Sequence, residues 1–246
     1  MKVQRFQYSY AVHSYELDAG LRVPLTVVGN YIQDIAGKHA KAMNLGYEDM
    51  LAWDQFWVLS RLRISMKKYP GWNDTLNLET WPSGIGKLFA IREFRILDEK
   101  KEVIGDAASA WLIVDRSSRR PRSPEILKDR IPVIPVSTTE VKLEKLPGVG
   151  CGTEHKPFVV KYSDLDQNNH ANNVKYLQWI LDSYPGNYCI DHLVKVFEIN
   201  FLSETSLDDE IVIRTESVNG PGALFRHSLF RVSDEKEICR AQLEWQ

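Results

Sequence analysis

Cysteine is scarce. Cys151, Cys189 and Cys239 are the only three in 246 residues. They are odd in number, widely spaced and without a C-x-x-C pair, which excludes a disulfide framework; a free cysteine is usually a small buried apolar residue. No apolar run approaches the ~20 residues needed to cross a bilayer. Residues 1–10 are polar and aromatic and lack the apolar core of a signal peptide, so no membrane insertion is expected and the expected compartment is the cytoplasm. Charge of one sign is also missing: the formal net charge is -2, whereas bulk nucleic-acid or membrane-surface binding favours a strong basic excess. There is no G-x-S-x-G elbow, which disfavours a serine hydrolase of the α/β class. His155, His170, His192 and His227 show no metal-ligand spacing. Gly148-Val149-Gly150-Cys151-Gly152 is not followed by a helix pattern, so it reads as linker and not as a phosphate loop. No metal, nucleotide or other cofactor is expected.

What is present is an ordinary soluble composition, 43% hydrophobic and 26% charged, in a length that suits one large domain or two of ordinary size. Pro24 suits a first helical turn, and Val28, Tyr31, Ile32, Ile35 and Met43 recur behind it with helical spacing; Gly46 stands where a C-terminal cap is expected. A second helix is expected after Asn172 or Asn173, either of which can cap it, with Val174, Leu177, Ile180, Leu181 and Tyr184 as its stripe and Pro185-Gly186 as its stop. After each helix the period changes to two. Val58, Leu62, Ile64 and Met66 fall on one strand face, with Arg61, Arg63 and Ser65 on the other. Strand-like runs follow at 75–81, 89–97 and 103–114, and in the second half at 195–202, 210–218, 223–232 and 237–244. A helix followed by successive strands with short turns predicts an antiparallel α+β sheet.

The two halves repeat each other. Phe94-Arg95-Ile96-Leu97-Asp98-Glu99-Lys100 reads like Phe230-Arg231-Val232-Ser233-Asp234-Glu235-Lys236, Trp111 matches Trp245, and 74–78 lies opposite 209–213. The offset stays near ~135 residues, too long for a solenoid and right for domain duplication. Inward-facing pairs are therefore expected: Ile64 with Ile199, Leu76 with Ile211, Leu78 with Ile213. Prolines and glycines between the halves mark a linker. The expected organisation is an N-terminal unit over 1–120, a linker over 121–156 and a C-terminal unit over 157–246.

The segment 164–173 is the most polar stretch leading directly into an apolar helix. It packs two acids, four asparagines and one imidazole into ten residues. Asp and Asn favour helix starts because their side chains accept orphan N–H groups, and that accounts for one or two of them. The same helix start could equally polarise a carbonyl oxygen acquiring charge, with His170 shuttling protons and Asp166 orienting its neighbours. Both readings stand on spacing alone. Glu204, in Ser203-Glu204-Thr205 at the end of the 196–202 strand, is either a solvated strand end or a partner for His170. Arg116, Arg119, Arg120 and Arg122, with Lys128 and Arg130 nearby, are either a solvated loop or a basic patch that steers an acidic partner.

The pattern Asp166-x-Asn168-x-His170-x-Asn172-Asn173-x-x-Tyr176, with Trp179 and Glu204 downstream, resembles the acyl-acyl-carrier-protein thioesterases of plants and bacteria. The resemblance continues through His13-Ser14-Tyr15-Glu16, Trp57-Val58-Leu59, Tyr69-Pro70-Gly71-Trp72-Asn73-Asp74, Thr80-Trp81-Pro82-Ser83, Trp111-Leu112-Ile113-Val114-Asp115 and Arg119-Arg120-Pro121. It implies a tandem double hotdog, each half a long helix wrapped by an antiparallel sheet, with the acyl chain mostly in the first half against the 28–43 helix. It implies hydrolysis of a fatty acyl thioester on the phosphopantetheine of acyl carrier protein, releasing free fatty acid. Asp166, Asn168, His170 and Glu204 fall on the family's catalytic positions, and the arginine run is the expected carrier-docking patch. Plant members carry a cysteine directly after the glutamate; here that residue is Thr205, which speaks against a cysteine nucleophile. A hotdog hydro-lyase and a non-catalytic acyl-binding sensor are the alternatives. The assembly is expected to be a monomer or a homodimer.

Overall fold

A computed structural model describes residues 5–139, 141–218 and 224–246. The chain divides into two units, Met1–Leu143 and Glu144–Gln246. In the first, α1 (Leu25–Ala42) buries Leu25, Val28, Tyr31, Ile32, Ile35, Ala36 and His39, the stripe expected from i, i+3, i+4, i+7 spacing. Pro24 is its N-cap residue. Its end differs from expectation. Asn44, with φ 55, provides the left-handed stop, a conformation asparagine tolerates better than most residues. Gly46 instead N-caps the next helix, α2 (Tyr47–Ala52), at an ordinary φ of -71.

Beneath α1 lie β1 (Phe6–Ala11), β2 (Gln55–Met66), β3 (Thr75–Ile85), β4 (Ala90–Leu97) and β5 (Val103–Asp115). They form an antiparallel run in the order β1-β3-β4-β5-β2, and β6 (Pro121–Arg122) pairs with β5. The sequence reading missed β1, a mostly exposed edge strand whose apolar alternation is weak. On β2 the register shifts between Leu59 and Arg61. A bulge inserts a residue and inverts the side-chain parity behind it. Leu59 is therefore the buried residue there, and Val58, expected to share a face with Leu62, is only half-buried.

In the second unit, β7 (Thr153–Glu154) and β8 (Phe158–Val159) precede α3 (Asn173–Asp182) and α4 (Gly186–Asp191). Pro185-Gly186 follows α3 as expected, but it also opens α4, with Pro185 as the N-cap. Then come β9 (Val194–Phe201), β10 (Glu210–Ser217), β11 (Leu224–Arg231) and β12 (Lys236–Trp245), antiparallel in the order β9-β12-β11-β10 with β7 and β8 on β10. Ala223, expected in the third strand, lies outside the described residues.

The repeat holds at the level of side-chain parity. Ile64 and Ile199 are each 1% exposed, Leu76 and Ile211 0%, Leu78 and Ile213 1% and 2%. A one-residue slip in either unit would turn these side chains outward, and each fully buried one contributes roughly 1.5–3 kcal/mol. The residues between the halves are folded into the units. Leu127 and Ile131 pack with Leu45, Met50 and Ile113, while Leu146 and Val149 are buried, their N–H groups bound by Asn200 and Ser228.

Candidate functional site

Asp166, Asn168 and His170 sit on a tight turn just before α3. The Asp166 carboxylate accepts the backbone N–H of Asn168 at 2.7 Å and of His170 at 3.4 Å. Asn169 adopts φ 60, and the Asp166 N–H closes the turn on the His170 carbonyl at 2.8 Å. Asp166 therefore orients its neighbours through their backbone, the Asx-turn role that its short acceptor side chain allows. The Asn168 side chain stands exposed on the turn.

The helix start is partly used by its own cap. Asn172, not Asn173, is the N-cap, and its side chain accepts the Val174 N–H at 3.0 Å. The Lys175 N–H goes to the Asn172 carbonyl. Two of the first donors of α3 are thus already engaged by Asn172.

Glu204 reaches the same place from the β9–β10 connection. Its Oε2 lies 3.4 Å from His170 Nε2, a separation typical of a catalytic pair before substrate tightens it. Backbone contacts fix the approach: the Ala171 N–H donates to the Thr205 carbonyl at 2.8 Å, and His170 bridges Ser206. Asp166, Asn168, His170 and Glu204 are accordingly gathered in one unit, half-buried or exposed, accessible to a substrate.

Two contributions escaped the sequence reading. Tyr176, one α3 turn beyond the cap, donates its hydroxyl to Thr205 Oγ1 at 2.7 Å; both residues are buried, and burial raises the tyrosine's pKa above its ordinary value. The Thr205 hydroxyl therefore points into the core. On the other side Arg231 donates to the Glu204 carbonyl at 3.4 Å and to Asp209 at 3.5 Å, while Asp209 accepts the Ser206 N–H at 2.8 Å. Only the spacing of Tyr176 within the motif hinted at such a clamp.

The arginine run occupies the β5–β6 turn. Arg116, Arg119, Arg120 and Arg122 are all exposed. Arg122 pairs with Asp115 at 2.8 Å, and Arg119 lies over the Phe56 ring. Nearby Arg130 lies over Trp53, so the charges are interleaved with aromatic surface.

Comparison with known proteins follows the same division. Residues 3–134 match the acyl-ACP thioesterase N-terminal domain and residues 152–246 the C-terminal domain. The chain is 28% identical to a chloroplastic palmitoyl-acyl carrier protein thioesterase of Cuphea hookeriana, over 98% of this chain and 62% of that protein. It is 27% identical to a chloroplastic dodecanoyl-[acyl-carrier-protein] hydrolase of Cinnamomum camphora, over 98% and 67%. The chain thus spans somewhat under two thirds of the Cuphea relative's length. Among solved structures, an acyl-ACP thioesterase from Bacteroides thetaiotaomicron VPI-5482 superimposes with a TM-score of 0.89 at 24% identity, covering 98% of both chains. A 12:0-ACP thioesterase from Umbellularia californica gives 0.83 at 24% identity, covering 98% and 97%. The helix-and-sheet units are those of a double hotdog, and the chain belongs to the acyl-ACP thioesterase family.

Proposed function

We propose that the protein hydrolyses the thioester joining a fatty acyl chain to acyl carrier protein, releasing free fatty acid and ending elongation of that chain. The observation that carries this reading is the convergence of His170 and Glu204, 3.4 Å apart, beside an exposed Asn168 at a helix start, in a chain of this family. Glu204 takes a proton from water, and the water oxygen attacks the thioester carbon. Asn168 stabilises the resulting oxyanion through its side-chain N–H. His170 delivers the proton to the departing sulfur, so that the C–S bond breaks to a thiol and a carboxylic acid. The first unit's interior is the compartment for the acyl chain. No step requires a metal or nucleotide; the phosphopantetheine belongs to the substrate.

The partner is an acyl-loaded carrier protein, an acidic molecule suited to the Arg116, Arg119, Arg120 and Arg122 turn, and the compartment is the cytoplasm. No described helix is long and apolar enough to cross a membrane. The hydro-lyase and sensor alternatives are not favoured by the family match. The deciding experiment is thiol release from acyl carrier protein loaded with chains of different length, with matching coenzyme A esters alongside. Thiol release without enoyl absorbance supports the hydrolase; enoyl formation, or binding without turnover, would replace it.

A further inference from the structure

The turn that carries Asn168 and His170 occurs twice in the chain. Ahead of α1, the segment 18–22 repeats the hydrogen bonds of 166–170, at an offset different from that of the strands. The Asp18 carboxylate accepts the Gly20 N–H at 2.8 Å and the Arg22 N–H at 3.1 Å. Asp166 accepts those of Asn168 at 2.7 Å and His170 at 3.4 Å. The Asp18 N–H returns to the Arg22 carbonyl at 2.8 Å, the same length as the closure from Asp166 to His170. Leu21 adopts φ 59 where Asn169 adopts 60, a left-handed conformation that asparagine visits more readily than leucine. Two residues after Arg22 comes Pro24, the N-cap of α1, and two after His170 comes Asn172, the N-cap of α3.

The connection beside the turn is repeated as well. The Val23 N–H donates to the Pro70 carbonyl at 2.9 Å, as that of Ala171 donates to Thr205 at 2.8 Å. Arg22 bridges Gly71 as His170 bridges Ser206. The Gly71 N–H meets the Asp74 carboxylate at 2.8 Å, and the Ser206 N–H meets that of Asp209 at 2.8 Å. The residues before those aspartates, Asn73 and Asp208, have φ 64 and 65. In this register Gly20 stands at the place of Asn168, Arg22 at that of His170 and Tyr69 at that of Glu204. None of the three can do what its counterpart does. Glycine has no side-chain donor, a guanidinium does not release its proton, and burial raises the Tyr69 phenol above its ordinary value. The Arg22 side chain also lies across Gly20, where an added Cβ would meet its Cζ at 2.8 Å. The aspartate is present in both copies, the chemistry in one.

We propose that the 18–22 turn is a second copy of the active-site turn without its chemistry, and that Asp166 is a positioning residue. It sets the backbone of Asn168 and His170 and takes no part in making or breaking bonds. The chemistry belongs to Asn168, His170 and Glu204, the three positions at which the copies differ. In the first unit the same aspartate, accepting the same two N–H groups, holds a turn that has no imidazole to orient. That is work a neutral acceptor can also do, since asparagine closes the same kind of turn. The role given to Asp166 in turnover rests on the proposed hydrolase reading.

Kinetics separate this from a carboxylate that acts as base or nucleophile. Asp166→Ala should lower kcat about 10²-fold, the scale of a misplaced catalytic group, with KM little changed. Asp166→Asn, which keeps the acceptor and removes the charge, should recover most of that loss and keep the pH profile of kcat. A base or nucleophile would instead lose on the order of 10²–10⁴-fold in both variants. Asp18→Ala should lower the melting temperature about as much as Asp166→Ala does, yet leave kcat within a few-fold. Amide hydrogen exchange tests the turns without turnover, so it stands even if no thiol is released and the hydrolase reading fails. Asp166→Ala should speed exchange at Asn168 and His170 about 10-fold or more, the scale of a lost hydrogen bond to a carboxylate. Asp18→Ala should do the same at Gly20 and Arg22, and Asp166→Asn should stay near wild type. An Asp166→Asn protein as inactive as Asp166→Ala would overturn the proposal, as would a pH profile altered by that change or exchange unmoved by loss of either aspartate. Should the alanine variants fail to fold, Asp166→Asn against wild type decides by the same kcat and pH readings.

Discussion

Each unit buries an imidazole, and the two surroundings are opposites. In the first unit His39 Nδ1 accepts from the charged Arg92 guanidinium at 2.9 Å. In the second, His227 bonds the Tyr184 hydroxyl at 2.9 Å and Thr215 at 3.0 Å, and Tyr184 packs edge-on against Phe225 and Trp245. That space is filled by neutral hydrogen bonds and aromatic rings. The helix starts show the reverse arrangement. Pro24 caps α1 without a side-chain hydrogen bond, whereas α3 begins at the Asp166–His170 turn and beside Glu204. Strand parity is common to the two units, whereas the side chains at their helix starts differ, with Pro24 at one and those of the Asp166–His170 turn and Glu204 at the other.

The largest effect should appear on turnover at that second helix start. Glu204→Gln and His170→Ala should each lower kcat by about 10²–10⁴-fold, the range for general acid–base groups. Asn168→Ala should lose roughly 10²–10³-fold as an oxyanion donor. Thr26→Val, at the start of α1, should stay within a few-fold of wild type. Steady-state thiol release on folded variants checks all four, and comparable losses at Thr26 would erase the asymmetry.

Acid stability offers a second comparison. His39 and His227 are held by burial at about 4 and about 3, against 6.5 ordinarily. Below pH 6.5 the unfolded chain takes up protons that the fold refuses, so stability must fall as pH falls, by up to about 1.4 kcal/mol per pH unit for each histidine. The contribution is fully present above pH 6.5. The decline attributable to His39 ends near pH 4, and that of His227 continues to about 3. Urea melts at pH 7 and 5 should show a smaller acid loss in His227→Phe than in wild type, even though that variant starts less stable. An unchanged pH dependence would mean that His227 is not held neutral.

Between these interiors and the surface, sequence legibility divides along physical lines. Periodicity exposed the two long helices and most strands because their apolar residues face one way, but not the six-residue α2 and α4, and the Asp166–His170 and Glu204 positions were visible as a motif. The bulge at Leu59/Arg61 was not, since parity inverts without any change of composition. Neither was the Arg92–His39 contact, made by residues 53 positions apart, nor the hydroxyl pair of Tyr176 and Thr205, 29 apart. Side-chain hydrogen bonds across the fold leave no local signal.

A smaller effect is expected at the exposed arginines of the first unit. Charge reversal at Arg119 and Arg122 should slow capture of acyl carrier substrate several-fold at low salt and flatten its salt dependence, because rim charges act mainly on association. Turnover of a small thioester should barely change. Equal losses on both substrates would assign the turn to folding or chemistry instead.

The smallest effect should come from Thr205, where this chain departs from the plant pattern. A nucleophilic hydroxyl needs both an adjacent base and access to the ester. Glu204 is adjacent in sequence, but the Thr205 side chain is fully buried and its oxygen already accepts the Tyr176 hydroxyl. Attack would require that bond to break and the side chain to leave the core, whereas water reaches Glu204 directly. Thr205→Ala should therefore retain most of its kcat and lose about 1–3 kcal/mol of stability, the cost of leaving the buried tyrosine hydroxyl unsatisfied. Tyr176→Phe, which removes the donor instead, should be similarly mild in turnover. Replacing both partners should cost less stability than the sum of the single changes, since no orphaned hydroxyl remains. An inactive but folded Thr205→Ala protein, or an acyl ester trapped on Thr205 and identified by mass spectrometry, would overturn the water mechanism.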